Sequence, residues 1–326
     1  MAAVTYDLLV RQLRERKQRL ESALERGSGA QDLGRLLDEV DSALARVADG
    51  TYGLCEVCHE TVEADRLLAD PLLRFCLDHL TESEQRDLER DLQTAARVQR
   101  GLLPSPELAG SGWEAHFHWE PAGLVSGDWY DLIRKDGGEL FFMFGDVSGK
   151  GVAAALLMSH LHATFRALVA AESTVAQLVE RANRVFREST LSPYFATLVC
   201  GRAGRDGAVE ICNAGHCPPL VVGAGGITAV DPTGLPVGTF YSTAYASRTL
   251  TLGPGDSLVL YTDGLTEARN RADAEYGVQR LTRTLARTHG LAPRDLVVTC
   301  LEDLAAHMDG APRRDDLTVM ALRRTA

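Results

Sequence analysis

No stretch of the 326-residue chain is long and apolar enough to read as a membrane span, and Met1 to Arg19 lacks the apolar centre of a secretion signal. Those absences predict a cytoplasmic protein with no membrane partner. Positive charge is also short: 34 Lys and Arg stand against 45 Asp and Glu, a net charge of −11. A chain of that sign has little general attraction for nucleic acid or anionic lipid. Seven cysteines in such a chain read as metal ligands or buried thiols rather than as a disulfide framework. A P-loop is missing too. The stretch FGDVSGKGVAAA has glycines and a lysine before a helix, but only three residues separate Gly145 from Gly149, and Gly151 follows Lys150 where a Ser or Thr would be needed.

What is present is ordinary in bulk, with 45% hydrophobic and 24% charged residues and a length that suits about two domains. Cysteine spacing separates those domains. Cys55 and Cys58 form a C-x-x-C pair, and Cys76 with His79 forms a C-x-x-H pair further on. Two such knuckles supply the closed tetrahedral set of one structural Zn²⁺. His59 adjoins Cys58, but the second pair makes His79 the better fourth ligand. Upstream, Leu9, Leu13, Leu20 and Leu24, then Leu33, Leu36, Leu37, Val40, Leu44 and Val47, mark two helices separated by the breaker RGSGA. The expected layout is a helical hairpin over 1–50, a zinc finger over 51–80 and a helical connector over 81–104, stopped by Pro104. In the connector Leu88, Leu92, Ala95 and Leu102 lie near a coiled-coil seam, which suits either packing on its own domain or a homodimer.

The second domain is expected over 105–326, and from residue 114 the pattern turns to short β-rich runs: EAHFHW, ELFFMFGD, FATLVCG, AVEICNA, PLVVG, RTLTL, DSLVLYTD and LTVMALR. Helices are expected in pairs, over about 152–170 and 174–188, then 277–288 and 294–307. Strands in runs and helices in pairs suit antiparallel sheets with helices outside, an α+β fold built as an α/β/β/α sandwich. Asp146 and Asp263 end apolar strands, Asp315 and Asp316 open the last one, and Asp128 follows a glycine turn. Carboxylates converging at one sheet edge would be relieved by hard divalent cations. His216, in a turn before two prolines, reads as a structural hydrogen-bond partner. Cys200, Cys212 and Cys300 read as buried thiols, and Glu267 and Asn270 as shaping the loop after Asp263.

Two resemblances carry these readings further. ADGTYGLCEVC followed by ADRLLADPLLRFC resembles the DksA/TraR zinc-finger family, in which the fourth ligand is commonly Cys where this chain has His79. Some members act on RNA polymerase through acidic residues at a long coiled-coil tip; the short hairpin and its tip RGSGAQD do not support carrying that activity over. SGDWYD, FGDVSGKGVAAALLM, FATLVCG, NAGHCPPLV, GLPVG, LGPGDSLVLYTDGLTEARN and DDLTVMALR, in this order, resemble the SpoIIE/RsbU-type serine phosphatases of the PPM superfamily over about residues 90–326.

The second resemblance implies a phosphatase with two Mn²⁺ or Mg²⁺ ions acting on a phosphoserine or phosphothreonine protein. Its site would comprise Asp128, Asp146, Asp263 and Asp315 together with the backbone carbonyl of Val147. The family's GGD is SGD here, with Ser126 in place of a glycine, and Ser148 stands where animal members have a histidine. Family analogy suggests a phosphorylated anti-sigma-factor antagonist as substrate, with the finger as regulator. An alternative of another class is a transcription-associated finger protein acting on RNA polymerase or DNA, with a degenerate phosphatase fold. All the core aspartates are present, and residues 1–104 carry 14 Lys and Arg against 20 Asp and Glu; both facts favour the enzyme.

Overall fold

Leucines and a valine on one face of each of two helices build the first part of the chain. The computed structural model describes residues 3–25, 30–80, 82–135, 137–170, 174–190, 194–241 and 243–325. They fall into two compact units, Met1–Asp91 and Leu92–Ala326. Among them no helix is long and apolar enough to cross a membrane. In the first unit α1 (Ala3–Glu25) and α2 (Ala30–Asp49) bury Leu9 and Leu13 with Val40 and Ala43. The breaker residues 26–29 lie outside the described residues. A salt bridge from Lys17 to Asp41 at 2.7 Å adds little at this exposed position. The same apolar core takes in Tyr52, Cys55, Val62, Cys76 and Leu67 of α3 (Ala64–Ala69), so the hairpin and the cysteine knuckles share one core.

The division between units falls within α4 (Glu82–Leu102), which ends just before Pro104. Its buried positions in the second unit are not those of the seam stripe, which the sequence left to either its own domain or a homodimer. Ala96 packs with Val125 and Ala155, and Gln99 is buried, whereas Leu88 is 45% and Val98 62% exposed and Ala95 faces solvent. The C-terminal half of α4 thus serves its own unit by a short buried strip.

The second unit continues with β1 (Glu107–Gly110), β2 (Trp113–Glu120), β3 (Trp129–Arg134), β4 (Leu140–Val147), α5 (Gly151–Leu168), α6 (Val175–Ser189), β5 (Ala196–Ala203), β6 (Ala208–Ala214), β7 (Leu220–Gly223), β8 (Gly226–Ala229), β9 (Arg248–Thr251), β10 (Ser257–Tyr261), α7 (Asp263–Thr266), α8 (Val278–Leu285), α9 (Pro293–Met308) and β11 (Leu317–Arg324). Two antiparallel sheets result, ordered β1-β2-β11-β10-β7-β8 and β3-β4-β5-β6-β9. Alternation explains the layers. In β4, Leu140, Phe142 and Phe144 enter the core between the sheets, while Phe141, Met143 and Val147 face α5 and α6. In β10 and β11, Leu258, Leu260, Met320 and Leu322 face the other sheet, while Val259, Tyr261, Val319 and Ala321 pack with residues of α8 and α9. Strands buried on both faces need continuous apolar runs, and the expected α/β/β/α sandwich is what forms.

Candidate active site and metal centre

The SGD turn before β3 is held by residues far away in sequence. Asp128 is 2% exposed, and its Oδ2 accepts hydrogen bonds from Thr262 Oγ1 at 2.9 Å and Thr318 Oγ1 at 2.5 Å. Thr318 N in turn donates to Thr262 Oγ1 at 3.1 Å, so β11 and the end of β10 close around this carboxyl. Asp316 secures the same turn. Its carboxylate accepts from Ala122 N at 2.7 Å, Ser126 Oγ at 2.7 Å and Gly127 N at 3.1 Å. Ser126 Oγ also accepts from Asp128 N at 3.0 Å, a link that a glycine could not make. On the other side, Gln99 of α4 donates to Ser126 O at 2.7 Å and accepts from Ser126 N at 3.0 Å.

Asp146 leaves β4 beside this turn. A Cβ added to Gly127 would lie 2.8 Å from Val147 O and 3.1 Å from Asp146 Oδ1, so the glycine keeps open a cradle that holds both oxygens. Burial, then the charges of Asp263, Asp315 and Asp316, push the Asp146 carboxyl up to about 7. Burial and Asp146 likewise raise Asp128 well above the usual carboxylate range, and burial with Asp315 raises Asp263. Asp263 opens α7 directly after β10; Asp315 lies on the loop before β11, half exposed. Lys150 Nζ contacts Asp315 Oδ2 at 2.9 Å and donates to Arg314 O at 2.8 Å.

Carboxyl groups that repel one another, one buried, two half-buried and one exposed, form with the main-chain carbonyl of Val147 beside Gly127 a donor set of hard oxygens, and Lys150 is the cation against it. That chemistry fits divalent cations such as Mn²⁺ or Mg²⁺. The expected residues Asp128, Asp146, Asp263 and Asp315 meet at one edge of the sandwich. The sequence reading named Asp316 only as opening the last strand and missed Thr262, Thr318 and Gln99; these four hold the site's turns.

Three other residues singled out from sequence are structural here. Ser148 Oγ accepts from Phe195 N at 3.0 Å. Buried His216 pairs its Nδ1 with Thr197 Oγ1 at 2.8 Å, its N–H donates to Asn213 Oδ1 at 2.8 Å, and burial lowers its pKa to about 4. Asn270 Oδ1 accepts from Ala272 N at 2.9 Å and Ala274 N at 3.0 Å and so shapes its loop. Cys200, Cys212 and Cys300 are buried free thiols.

In the first unit, ligand atoms of Cys55, Cys58, Cys76 and His79 all lie within 4.8 Å of one another, a set suited to one Zn²⁺. Cys76 Sγ is 3.8 Å from Cys58 Sγ and 3.2 Å from His79 Nδ1. His59 stands apart from the set, exposed and at φ 60°.

Two stacked antiparallel sheets with outer helices and acidic loops at one edge define a PP2C-type phosphatase fold. The SiaA PP2C domain of Pseudomonas aeruginosa shares it, with a TM-score of 0.65 at 20% identity over 75% of this chain and 99% of that one. Residues 136–325 match the family described as Stage II sporulation protein E (SpoIIE), and this chain belongs to that family. Residues 50–81 match the prokaryotic dksA/traR C4-type zinc finger. Among curated proteins, Protein IcfG of Synechocystis sp. is 28% identical over 72% of this chain and 41% of its own length. Phosphoserine phosphatase RsbU of Bacillus subtilis is 26% identical over 74% of this chain and 72% of its own. The chain thus spans less than half of IcfG and about three quarters of RsbU.

Proposed function

We propose that the chain is a metal-dependent protein serine phosphatase whose substrate is a phosphoserine protein of the anti-sigma-factor antagonist type. The observation that carries this reading is the mutually repelling set of buried Asp128 and half-buried Asp146 and Asp263 at the sandwich edge, in a SpoIIE-family chain related to a phosphoserine phosphatase. Asp146, Val147 O, Asp263 and Asp315 would hold two Mn²⁺ or Mg²⁺ ions, with Asp128 behind Asp146. When bound, such cations activate water for in-line attack and offset charge on the phosphoryl oxygens. The protein's part is positional. Thr262 and Thr318 hold Asp128 against Asp146, Asp316 and Gln99 fix the turn that presents it, and Gly127 keeps Val147 O accessible.

Regulation by the finger belongs to the same proposal. The C-terminal half of α4 grips Ser126 through Gln99, two residues before Asp128. A change in α4, whether set by the finger or by pairing of exposed Leu88 and Val98 in a homodimer, would reach the SGD turn through that amide. The test is hydrolysis of a phosphoserine peptide and of a phosphorylated anti-sigma-factor antagonist by the full chain across a Mn²⁺ titration. Light scattering of the same samples gives the oligomeric state. Metal-dependent release of phosphate from serine is expected. Equal rates with and without metal would overturn the reading.

A further inference from the structure

Lys150 raises a question that phosphatase chemistry alone does not answer. The chain has only three lysines, Lys17, Lys135 and Lys150, against 31 arginines. One of them has its ammonium against an expected metal ligand, 2.9 Å from Asp315 Oδ2. The backbone is arranged for that contact. Gly149 at φ 98° and Gly151 at φ 73° both occupy the left-handed region that side chains avoid. Between them Lys150 is extended, at φ −136° and ψ 164°, as the residue capping α5. The contact joins this turn to a loop 164 residues away, where the ammonium also meets Arg314 O. An ion pair whose partners are 62% and 48% exposed adds little to stability, so fold maintenance does not account for it.

Residue type narrows the role. Arginine, the chain's usual cation, would clasp a carboxylate with a planar fork and hold it; an ammonium is a compact point charge on a flexible stem and exchanges readily. Asp315 is also the most exposed of the four expected carboxylates, and so the one a cation reaches most easily from solvent.

We propose that Lys150 is a built-in competitor for Asp315, which a divalent cation must displace, so that the turn sets the affinity of whichever metal Asp315 would hold and frees a positive charge at the site when that metal binds. This rests on the reading of the carboxylates as a metal site. The displaced ammonium would then be available to a phosphoryl group.

Two measurements on the full chain test it. In calorimetric Mn²⁺ titrations, Lys150→Met should tighten the weaker site by about tenfold, the effect of removing a unit charge in contact with a ligand. Arg314→Gln is the control: it removes the same charge nearby, but the guanidinium is directed at Asp273, 3.9 Å away, not at Asp315. It should change affinity by less than about threefold, as expected of a screened charge. Separately, labelling by an amine-reactive reagent, read by mass spectrometry with Lys17 and Lys135 as internal references, should accelerate at Lys150 when Mn²⁺ is added. Equal shifts in the two variants, or Lys150 labelling unchanged or slowed by metal, would overturn the competitor role while leaving the metal site standing. A wild-type chain that binds no Mn²⁺ would remove the metal site itself, and the inference with it.

Discussion

The Ser126 hydroxyl donates to the Asp316 carboxylate at 2.7 Å, across 190 residues of sequence. It ties the SGD turn to the start of β11, so the serine strengthens the loop it enters. Ser126→Gly should keep metal binding and cost about 1 kcal/mol of stability, since it removes one link to a carboxylate and one to Asp128 N. Asp316→Ala strips partners from Ala122 N, Ser126 Oγ and Gly127 N together, and should cost about 3 kcal/mol and weaken Mn²⁺ binding as the turn loosens. Urea denaturation and metal titration of the two variants check the order.

Asp146→Asn separates metal binding from folding. The Asp146 pKa is raised to about 7 in the fold, against a usual aspartate value of about 4 when unfolded. Between those limits the folded state of the metal-free protein holds a proton that the unfolded state has lost. Its stability should therefore fall as pH rises from about 4 to 7, and level off above. Asparagine removes Asp146's share of that slope and leaves what Asp128 and Asp263 add. The variant should be at least as stable as the wild type at pH 8 in EDTA, yet gain little from Mn²⁺ and lose turnover. Thermal unfolding with EDTA and with Mn²⁺, together with phosphate release, provides the comparison. Near-normal activity at limiting Mn²⁺ would remove Asp146 from the site.

A second buried aspartate carries the opposite sign. Burial alone would raise Asp131, but His162 at 3.2 Å and the two bonds from Arg166, at 2.7 and 2.8 Å, hold its pKa below the ordinary value. Its contribution is present above the unfolded aspartate pKa and fades as pH falls through the lower folded one. Arg166→Ala leaves a carboxylate with no solvent exposure short of its main partner, and should cost about 3–5 kcal/mol. Because Arg166 and Asp131 join α5 to β3, the variant should also raise hydrogen exchange along α5.

How much of this was legible in sequence depended on how local each constraint is. Strand β4 announces itself because both faces are buried and LFFMFGDV has no polar residue until its aspartate. Strand β3 does not: WYDLIR carries Asp131 in its centre, and the arginine that makes a buried charge tolerable there lies 35 residues away. The edge strands β1 and β8 are short, mostly exposed and rich in glycine and alanine, so they leave almost no alternation to read. The same rule sorts the site. Aspartates at strand ends could be picked out, but only the closed fold reveals that Thr262 and Thr318 converge on Asp128, or that Asp316 faces the SGD turn while its neighbour Asp315 meets Lys150. The α4 stripe stayed open between two uses because a helix face of leucines and alanines does not say which side meets a neighbour; within the second unit the buried positions are Ala96 and Gln99.

The zinc knuckles give the last prediction. Cys55 and Cys76 are buried in the same small core as Leu9, Leu13, Tyr52 and Leu67, so the sulfur positions and the apolar packing depend on one another. A unit with so little core draws much of its folding free energy from the bound ion. The full chain, purified reduced and without chelator, should retain about one equivalent of zinc after dialysis that strips exchangeable Mn²⁺, because a four-ligand thiolate and imidazole set holds zinc far more tightly than oxygen ligands do. Cys55→Ser should lose that zinc and raise hydrogen exchange across residues 50–80, whereas His79→Cys, which restores the C4 set of the matching finger family, should keep it. Metal analysis of the three proteins side by side decides the matter. Zinc well below one equivalent in the wild type, or undiminished in Cys55→Ser, would mean that the cluster of Cys55, Cys58, Cys76 and His79 is held together by its core and not by a metal.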